Sequence, residues 1–264
     1  MRRWVLQLLP ILAGIVAVLG MLHGPSALGL TGLWAVVVGL VLLVGAVLVG
    51  FWAILIGNLG GDIEIGPTDD VELPADARHF EADLEGAGFE RAFGPLRVVI
   101  GASATLWGYR HSTVSACGAS IYRSQTVPPR SLYELVSRFD GPNGGSLTTT
   151  ADAQLGIFPP PPQVFKQVLP GADAERLLSA HLAALSFLET RGVKLRAAGD
   201  VPDVETFRRE IQAQRRVILA RPVHSTLSVL WRIARRRNPR HASILEQPGV
   251  ETNVAKTLAL QRRS

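Results

Sequence analysis

The sequence predicts a membrane-anchored α+β protein with an N-terminal two-helix transmembrane hairpin, a small antiparallel sheet flanked by helices, and a basic helical C-terminal tail. Three observations support this fold class. Residues 1–61 contain only two charged side chains, those of Arg2 and Arg3. Short segments of β character then lie between two amphipathic helical patterns. Finally, residues 206–264 carry 13 basic and 3 acidic side chains.

Two uncharged stretches near the N-terminus have the length of transmembrane helices. Residues 4–22 and residues 27–57 contain no charged side chain. A helix needs about 20 apolar residues to cross the hydrocarbon core of a bilayer. A cleaved signal peptide is the alternative for the first stretch, but no small-residue cleavage site follows it. We therefore expect a two-helix anchor over residues 1–57, with spans at about 4–22 and 33–56.

The positions of the first basic residues predict the orientation of this hairpin. Arg2 and Arg3 precede the first span, and the turn between the spans contains no Lys or Arg. Basic residues that flank a span are retained on the cytoplasmic side, and two spans return the chain to its starting side. We therefore expect an integral protein of the inner (plasma) membrane, with both termini and the soluble domain in the cytoplasm.

The body of the chain is predicted to be an α+β domain over residues 75–195, after a flexible acidic linker over residues 58–74. Its helices are predicted from Ala77 to Ala87 and from the N-cap Asp173 to Gly192. Between them lie short segments with β character, at residues 96–100, 105–110, 116–123, 132–139 and 146–150. The turn-forming residues 140–145 favour a hairpin, so we expect an antiparallel meander.

The basic tail, residues 196–264, is predicted to contain two amphipathic helices. Val204, Phe207 and Ile211 begin the apolar stripe of the first helix, and Pro222 ends that helix. The second helix covers residues 223–237. Its apolar face consists of Val223, Leu227, Leu230, Trp231 and Ala234.

The end of the second helix is a candidate for membrane-surface contact, through Trp231, Arg232, Arg235, Arg236 and Arg237. A basic amphipathic helix with a Trp fits the surface of an anionic leaflet, so anionic lipid head groups are an expected partner beside the bilayer itself. The alternative is that the helix packs on the body, because residues 62–205 carry 12 basic and 19 acidic side chains. Nucleic acid is less favoured because no binding motif accompanies the charge.

The chain contains none of the common motifs that carry catalysis or hold a cofactor. Gly-rich phosphate loops, His-Glu-x-x-His, Gly-x-Ser-x-Gly and paired-cysteine metal spacings are all absent from the sequence. Cys117 is the only cysteine, which excludes an internal disulfide, and its small apolar neighbours are typical of a buried thiol. We therefore expect no catalytic residue, no metal and no cofactor.

One set of polar side chains is a candidate polar site. Tyr109, Arg110 and His111 end a predicted strand, Asp140 lies at the predicted hairpin, and His181 falls on the apolar stripe of its helix. Alternate residues of a strand share a face, so these side chains can converge. Structural roles are nevertheless favoured, and His181 is expected to be a hydrogen-bonded core residue.

These observations favour a non-enzymatic, membrane-tethered cytoplasmic domain that binds an unidentified protein partner or assists assembly. The alternative is a membrane-associated hydrolase or transferase whose site the sequence does not reveal. A pocket that joined several residues of the candidate polar site would favour the enzyme. A filled core at that place, with an exposed sheet edge or groove elsewhere, would favour binding.

Overall fold

The computed structural model describes most of the chain beyond residue 63. The described residues are 64–68, 72–100, 102–124, 129–140, 145–152, 160–199, 204–235 and 243–262, together with the helical positions 34, 36–41, 44–46 and 48–50.

A single mixed sheet forms the centre of this part of the chain. Its strands are β1 (Glu64–Pro67), β2 (Phe89–Ile100), β3 (Ala102–His111), β4 (Gly118–Ser124), β5 (Arg130–Phe139), β6 (Gly145–Thr150), β7 (Val164–Val168) and β8 (Leu195–Arg196). The helices beyond residue 64 are α1 (Ala75–Gly86), α2 (Ala174–Thr190), α3 (Val204–Ala220), α4 (Pro222–Arg235) and α5 (Val250–Gln261), with a 3₁₀ turn at Ile244–Glu246.

The strands lie in the order β1-β2-β3-β4-β5-β6-β7, and β8 pairs with β5. Neighbouring strands are antiparallel except β6 and β7, which are parallel. The predicted α+β composition agrees with this architecture, but the predicted small, wholly antiparallel sheet is wrong. Strand β1 lies within the predicted linker, and β7 follows a run of prolines. Both strands are short and flanked by Gly or Pro, so their sequences resemble loops.

The two helices predicted for the body agree closely with α1 and α2. Asp173 is the N-cap of α2, and its side chain accepts a hydrogen bond of 2.8 Å from the backbone N–H of Arg176. Helix α1 has no side-chain cap, because its N-cap residue, Pro74, has no side-chain acceptor. The helical pattern therefore predicts both helices, but a side-chain cap marks the first residue of α2 only.

The sheet has two different faces because side chains alternate along each strand. On one face, α1 and α2 cover Trp107, Ile121, Leu135 and Leu147, which are fully or almost fully buried. We call this the helix face. The opposite face, which carries Leu106, Tyr122 and Val136 among others, is approached by α3, and we call it the groove face.

The C-terminal segment closes the outer edge of β7. The Asn253 side chain accepts a hydrogen bond of 3.3 Å from the Gln163 amide and donates one of 3.3 Å to the Val164 carbonyl. Gln247 donates a hydrogen bond of 2.9 Å to the Lys166 carbonyl. An exposed strand edge offers unpaired backbone groups to other chains, and these side-chain amides satisfy them within the molecule.

Within the described residues, no helix is both long enough and apolar enough to cross a membrane. This finding contradicts the predicted transmembrane hairpin and, with it, the predicted integral inner-membrane location. The span predicted at 4–22 lies outside the described residues. Within the span predicted at 33–56, the described residues are 34, 36–41, 44–46 and 48–50, and they are helical.

We predict that Gly108→Ala destabilises the fold through a collision with Phe93. A Cβ atom at Gly108 would lie 2.1 Å from Phe93 Cζ. Forcing extra volume into a packed site typically costs about 1–3 kcal/mol, so urea unfolding should show a loss of this order. Gly66→Ala is the matched control, because a Cβ there meets nothing within 4 Å. If Gly108→Ala costs as much in a Phe93→Ala background, the ring is not the cause.

We also predict that Asn253→Ala opens the edge of β7. Leaving a buried backbone donor and acceptor unpaired costs about 1–3 kcal/mol, which urea unfolding should detect. Hydrogen exchange should show faster exchange of the Gln163 amide, the group that Asn253 binds. Thr252→Ala is the control at the neighbouring exposed position. Equal exchange rates in both variants would contradict this role of Asn253.

Candidate ligand-binding groove

The candidate polar site does not form one site, because its members have separate partners. Tyr109 Oη donates a hydrogen bond of 3.0 Å to Glu81 Oε1, and Arg91 also forms an ion pair with Glu81. Burial, reinforced by the bond to Glu81, raises the pKa of Tyr109 to about 12. Tyr109 therefore stays protonated at neutral pH and joins α1 to the sheet.

Three further members of the candidate polar site lie at the ends of strands. His111 Nδ1 accepts hydrogen bonds of 3.2 Å from the backbone N–H groups of Thr113 and Val114 and so stabilises the turn after β3. Arg110 is exposed. The Asp140 carbonyl accepts a hydrogen bond of 2.9 Å from Gln261 of α5. These contacts are structural.

His181, the fifth member, is fully buried between α2 and the helix face of the sheet. Its Nε2 atom lies 2.9 Å from Ser137 Oγ, and its Nδ1 atom lies 2.7 Å from Thr149 Oγ1. Ser137 donates its only hydroxyl proton to the Ala116 carbonyl, so the serine oxygen accepts from His181 Nε2–H. The Thr149 hydroxyl then donates to Nδ1. These directions require the neutral imidazole.

The chain of hydrogen bonds continues beyond His181. Gln167 Nε2 donates to Thr149 Oγ1 at 2.7 Å, and Gln167 Oε1 accepts from the backbone N–H of Ile244 at 3.1 Å. Burial lowers the pKa of His181 to about 3. His181 is thus a satisfied core residue, as expected. The neighbouring Ser137 is also buried and uses its proton on a carbonyl, so this Ser–His pair lacks the arrangement of a nucleophile and its base.

Cys117 is equally unsuited to chemistry. Its side chain is fully buried, and burial raises the pKa of its thiol to about 12. Among the described residues, no group of three or more His, Cys, Asp or Glu could hold a metal ion. Thiolate and metal chemistry therefore gain no support from the described part of the chain.

The groove face holds a cavity with mostly apolar walls. This cavity has a volume of about 580 Å³, within the range of small-molecule sites. Strands β1 to β5 form its floor, and residues 196–199 with the first turns of α3 form its roof. Its apolar lining includes Ile65, Phe93, Val98, Leu106, Val136, Val204 and Phe207. We call this cavity the groove.

Small residues create the hollow in the floor of the groove. Gly108 pairs with Ser120 across β3 and β4, and Gly118 pairs with Val136 across β4 and β5. All four residues lie on one face because their positions are in register. Gly118 and Ser120 line the cavity, whereas the ring of Phe93 covers Gly108. The alternating small residues were visible in the sequence, but their common face became clear only from the strand pairing.

Hydrogen bonds hold the roof together and attach it to the rest of the domain. The Ala198 amide donates to the Ser115 carbonyl at 2.6 Å. Arg196 donates to Thr206 Oγ1 at 3.0 Å, which joins β8 to the start of α3. Arg138 of β5 donates to Glu210 of α3 at 2.5 Å, and this ion pair is largely buried.

The polar residues in and beside the groove are hydrogen-bonded or paired with opposite charges. Tyr122 Oη donates a hydrogen bond of 2.9 Å to Glu134 Oε1. Burial, reinforced by the charge of Glu134, raises the pKa of Tyr122 well above its ordinary value. Burial also raises the pKa of Glu134, against the opposing effect of Lys166. Burial lowers the pKa of Arg138, but Glu210, Tyr122 and Glu134 together raise it above its ordinary value. The arrangement can bind and orient a molecule, but it offers no activated nucleophile.

We predict that His181 makes the protein less stable as the pH falls. Its folded pKa of about 3 lies below the ordinary value of 6.5, so the unfolded chain binds a proton first. Stability is therefore full above pH 6.5 and declines below it, by up to about 1.4 kcal/mol per pH unit. Urea unfolding between pH 6.5 and 5 measures this slope, in a range where few other side chains titrate.

In His181→Gln the slope over this range should become much shallower, even if the variant is less stable at every pH. The matched control is His224→Gln, at an exposed position of α4, which should keep the full slope. A slope that survives in His181→Gln would show that another group is responsible.

Comparison with known proteins adds no further assignment to these geometric observations. No protein family, no curated protein and no solved structure matches the chain.

Proposed function

We propose that the chain is a non-catalytic binding module that holds a mainly apolar small molecule in the groove. The observation that carries this proposal is the cavity of about 580 Å³, whose walls combine apolar side chains with a few polar ones. Apolar pockets with a few polar groups are the usual form of a small-molecule site. The sheet provides a rigid floor, which favours binding because little conformational entropy is lost.

The polar residues of the groove suggest the form of the ligand. Arg138, Arg196, Tyr122 and Ser120 line the groove among its apolar side chains. A guanidinium carries five N–H donors, so an arginine in an ion pair can also donate to a ligand. The expected ligand has an apolar body and one end group that accepts hydrogen bonds, such as a hydroxyl or a carboxylate.

The same geometry gives less support to a hydrolase or transferase. Tyr109, His111, Asp140 and His181 have separate structural partners, and the Ser137–His181 pair is sealed in the core. A filled core at the candidate polar site, with an open groove on the other face of the sheet, is the arrangement expected for binding. The protein partner suggested by the sequence stays a prediction.

The proposal predicts that filling the groove abolishes binding of an apolar probe. Ala198 lines the roof, and Ala198→Trp should occupy the hollow. N-phenyl-1-naphthylamine is a neutral probe whose fluorescence rises in apolar surroundings, and decanol and decanoate should displace it from the wild-type chain. The variant should bind it at least about tenfold more weakly, a change of about 1.4 kcal/mol.

The matched control is Ala183→Trp, which adds the same ring at an exposed position of α2. Its affinity for the probe should equal that of the wild type. Circular dichroism and urea unfolding establish that both variants fold. If the folded Ala198→Trp variant binds the probe as tightly as the wild type, the groove is not the binding site and the proposal fails.

A further inference from the structure

Helix α4 turns apolar residues outward. Val223 and Leu227 are 63% and 50% exposed, and Leu219 at the end of α3 is 41% exposed. Leu219 precedes the break between the two helices at Arg221, and Val223 and Leu227 follow it. By contrast, the polar residues Ser225 and Thr226 of α4 are buried. An amphipathic helix that served only the core would bury its apolar side. We call Leu219, Val223 and Leu227 the outer stripe.

Positive charge accompanies the outer stripe. Arg215 and Arg221 are exposed close to it along the chain. The sequence adds Arg232 and Arg235 within α4. Residues 206–264 carry 13 basic and 3 acidic side chains in total. A surface that combines apolar side chains with positive charge complements a lipid surface, which has negative head groups above apolar acyl chains.

The basic residues of α3 do not form the ion pair that attaches this helix to the sheet. The ion pair that joins α3 to the sheet has the opposite polarity, because the sheet supplies Arg138 and the helix supplies Glu210. Arg208 and Arg209 pair with Glu205 of the same helix. The basic residues of α3 therefore lie on its exposed side. The residues of the outer stripe are exposed as well.

We propose that the outer stripe and its flanking arginines dock peripherally on an anionic lipid surface. Apolar side chains enter the boundary between head groups and acyl chains, and the arginines contact the head groups. This contact needs no spanning helix. A nucleic acid would use the arginines and leave the apolar residues in water, whereas a second copy of the chain would repeat the positive charge.

The test uses a fluorophore placed in the outer stripe of the full-length chain. Leu227→Cys carries an environment-sensitive nitrobenzoxadiazole label, and Leu245→Cys is the matched control because Leu245 is 47% exposed on the 3₁₀ turn. Cys117 is buried and its thiol pKa is about 12, so the label reacts with the introduced cysteine. The labelled chains are mixed with vesicles of phosphatidylglycerol or of phosphatidylcholine.

We expect the label at Leu227 to brighten and shift to the blue with phosphatidylglycerol vesicles, and the label at Leu245 to stay unchanged. High salt should reverse the response because it screens the arginines. A Leu227 label that ignores phosphatidylglycerol, that responds equally to phosphatidylcholine, or that responds no more than the Leu245 label overturns the proposal. So does a response without vesicles, whether to duplex DNA or to rising protein concentration.

Charge variants test the arginines separately. Arg215→Gln and Arg221→Gln should each raise the vesicle concentration needed for half of the Leu227 response about fivefold, since a basic residue near an anionic surface contributes on that scale. Arg176→Gln on α2 is the control, at an exposed position away from the outer stripe, and should leave the titration unchanged. If all three variants need the same vesicle concentration for half of the Leu227 response, the arginines do not contribute to the proposed contact.

Discussion

Strand β5 is covered on both faces, and the positions of the surrounding helices follow from its alternation. Tyr133, Leu135 and Ser137 face α1 and α2, whereas Val136 and Arg138 face the groove and α3. A shift of the strand by one residue would exchange the two sets. Ser137 would then lose His181, and Arg138 would be buried without Glu210. The register of β5 is therefore the constraint on which the core, the groove and the docking of α3 all depend.

The hydrogen bonds of His181 make this register specific as well as stable. An apolar core tolerates many arrangements of similar volume, but a buried imidazole has to meet one donor and one acceptor. Ser137 and Thr149 provide them from neighbouring strands, and Gln167 extends the contact to Ile244 in the C-terminal segment. The sequence suggested His181 both as a site candidate and as a core residue. In the structure, its hydrogen bonds connect the body to the C-terminal segment.

The sequence predicted those elements whose signal is local. The start of α2 is one example, because Asp173 is a cap within the segment itself, and the hairpin between β5 and β6 is another. It did not reveal β1 or β7, since four or five residues beside Gly or Pro become strands only when a partner lies next to them. The groove was hidden for the same reason, because Gly118 and Val136 share a face only once the register is known. The transmembrane hairpin was inferred from composition alone, and the described helices do not support it.

The floor of the groove comes from residues before 140, and its roof comes from residues after 195. A molecule that contacts both walls gains affinity only while the roof is closed, so its binding holds α3 against the sheet. Because α4 follows α3 after Arg221 alone, anything that restrains α3 also restrains the helix that carries the outer stripe. The two proposed contacts therefore meet at one junction between helices, and we expect a molecule in the groove and an anionic surface to change each other's apparent affinity by the same factor.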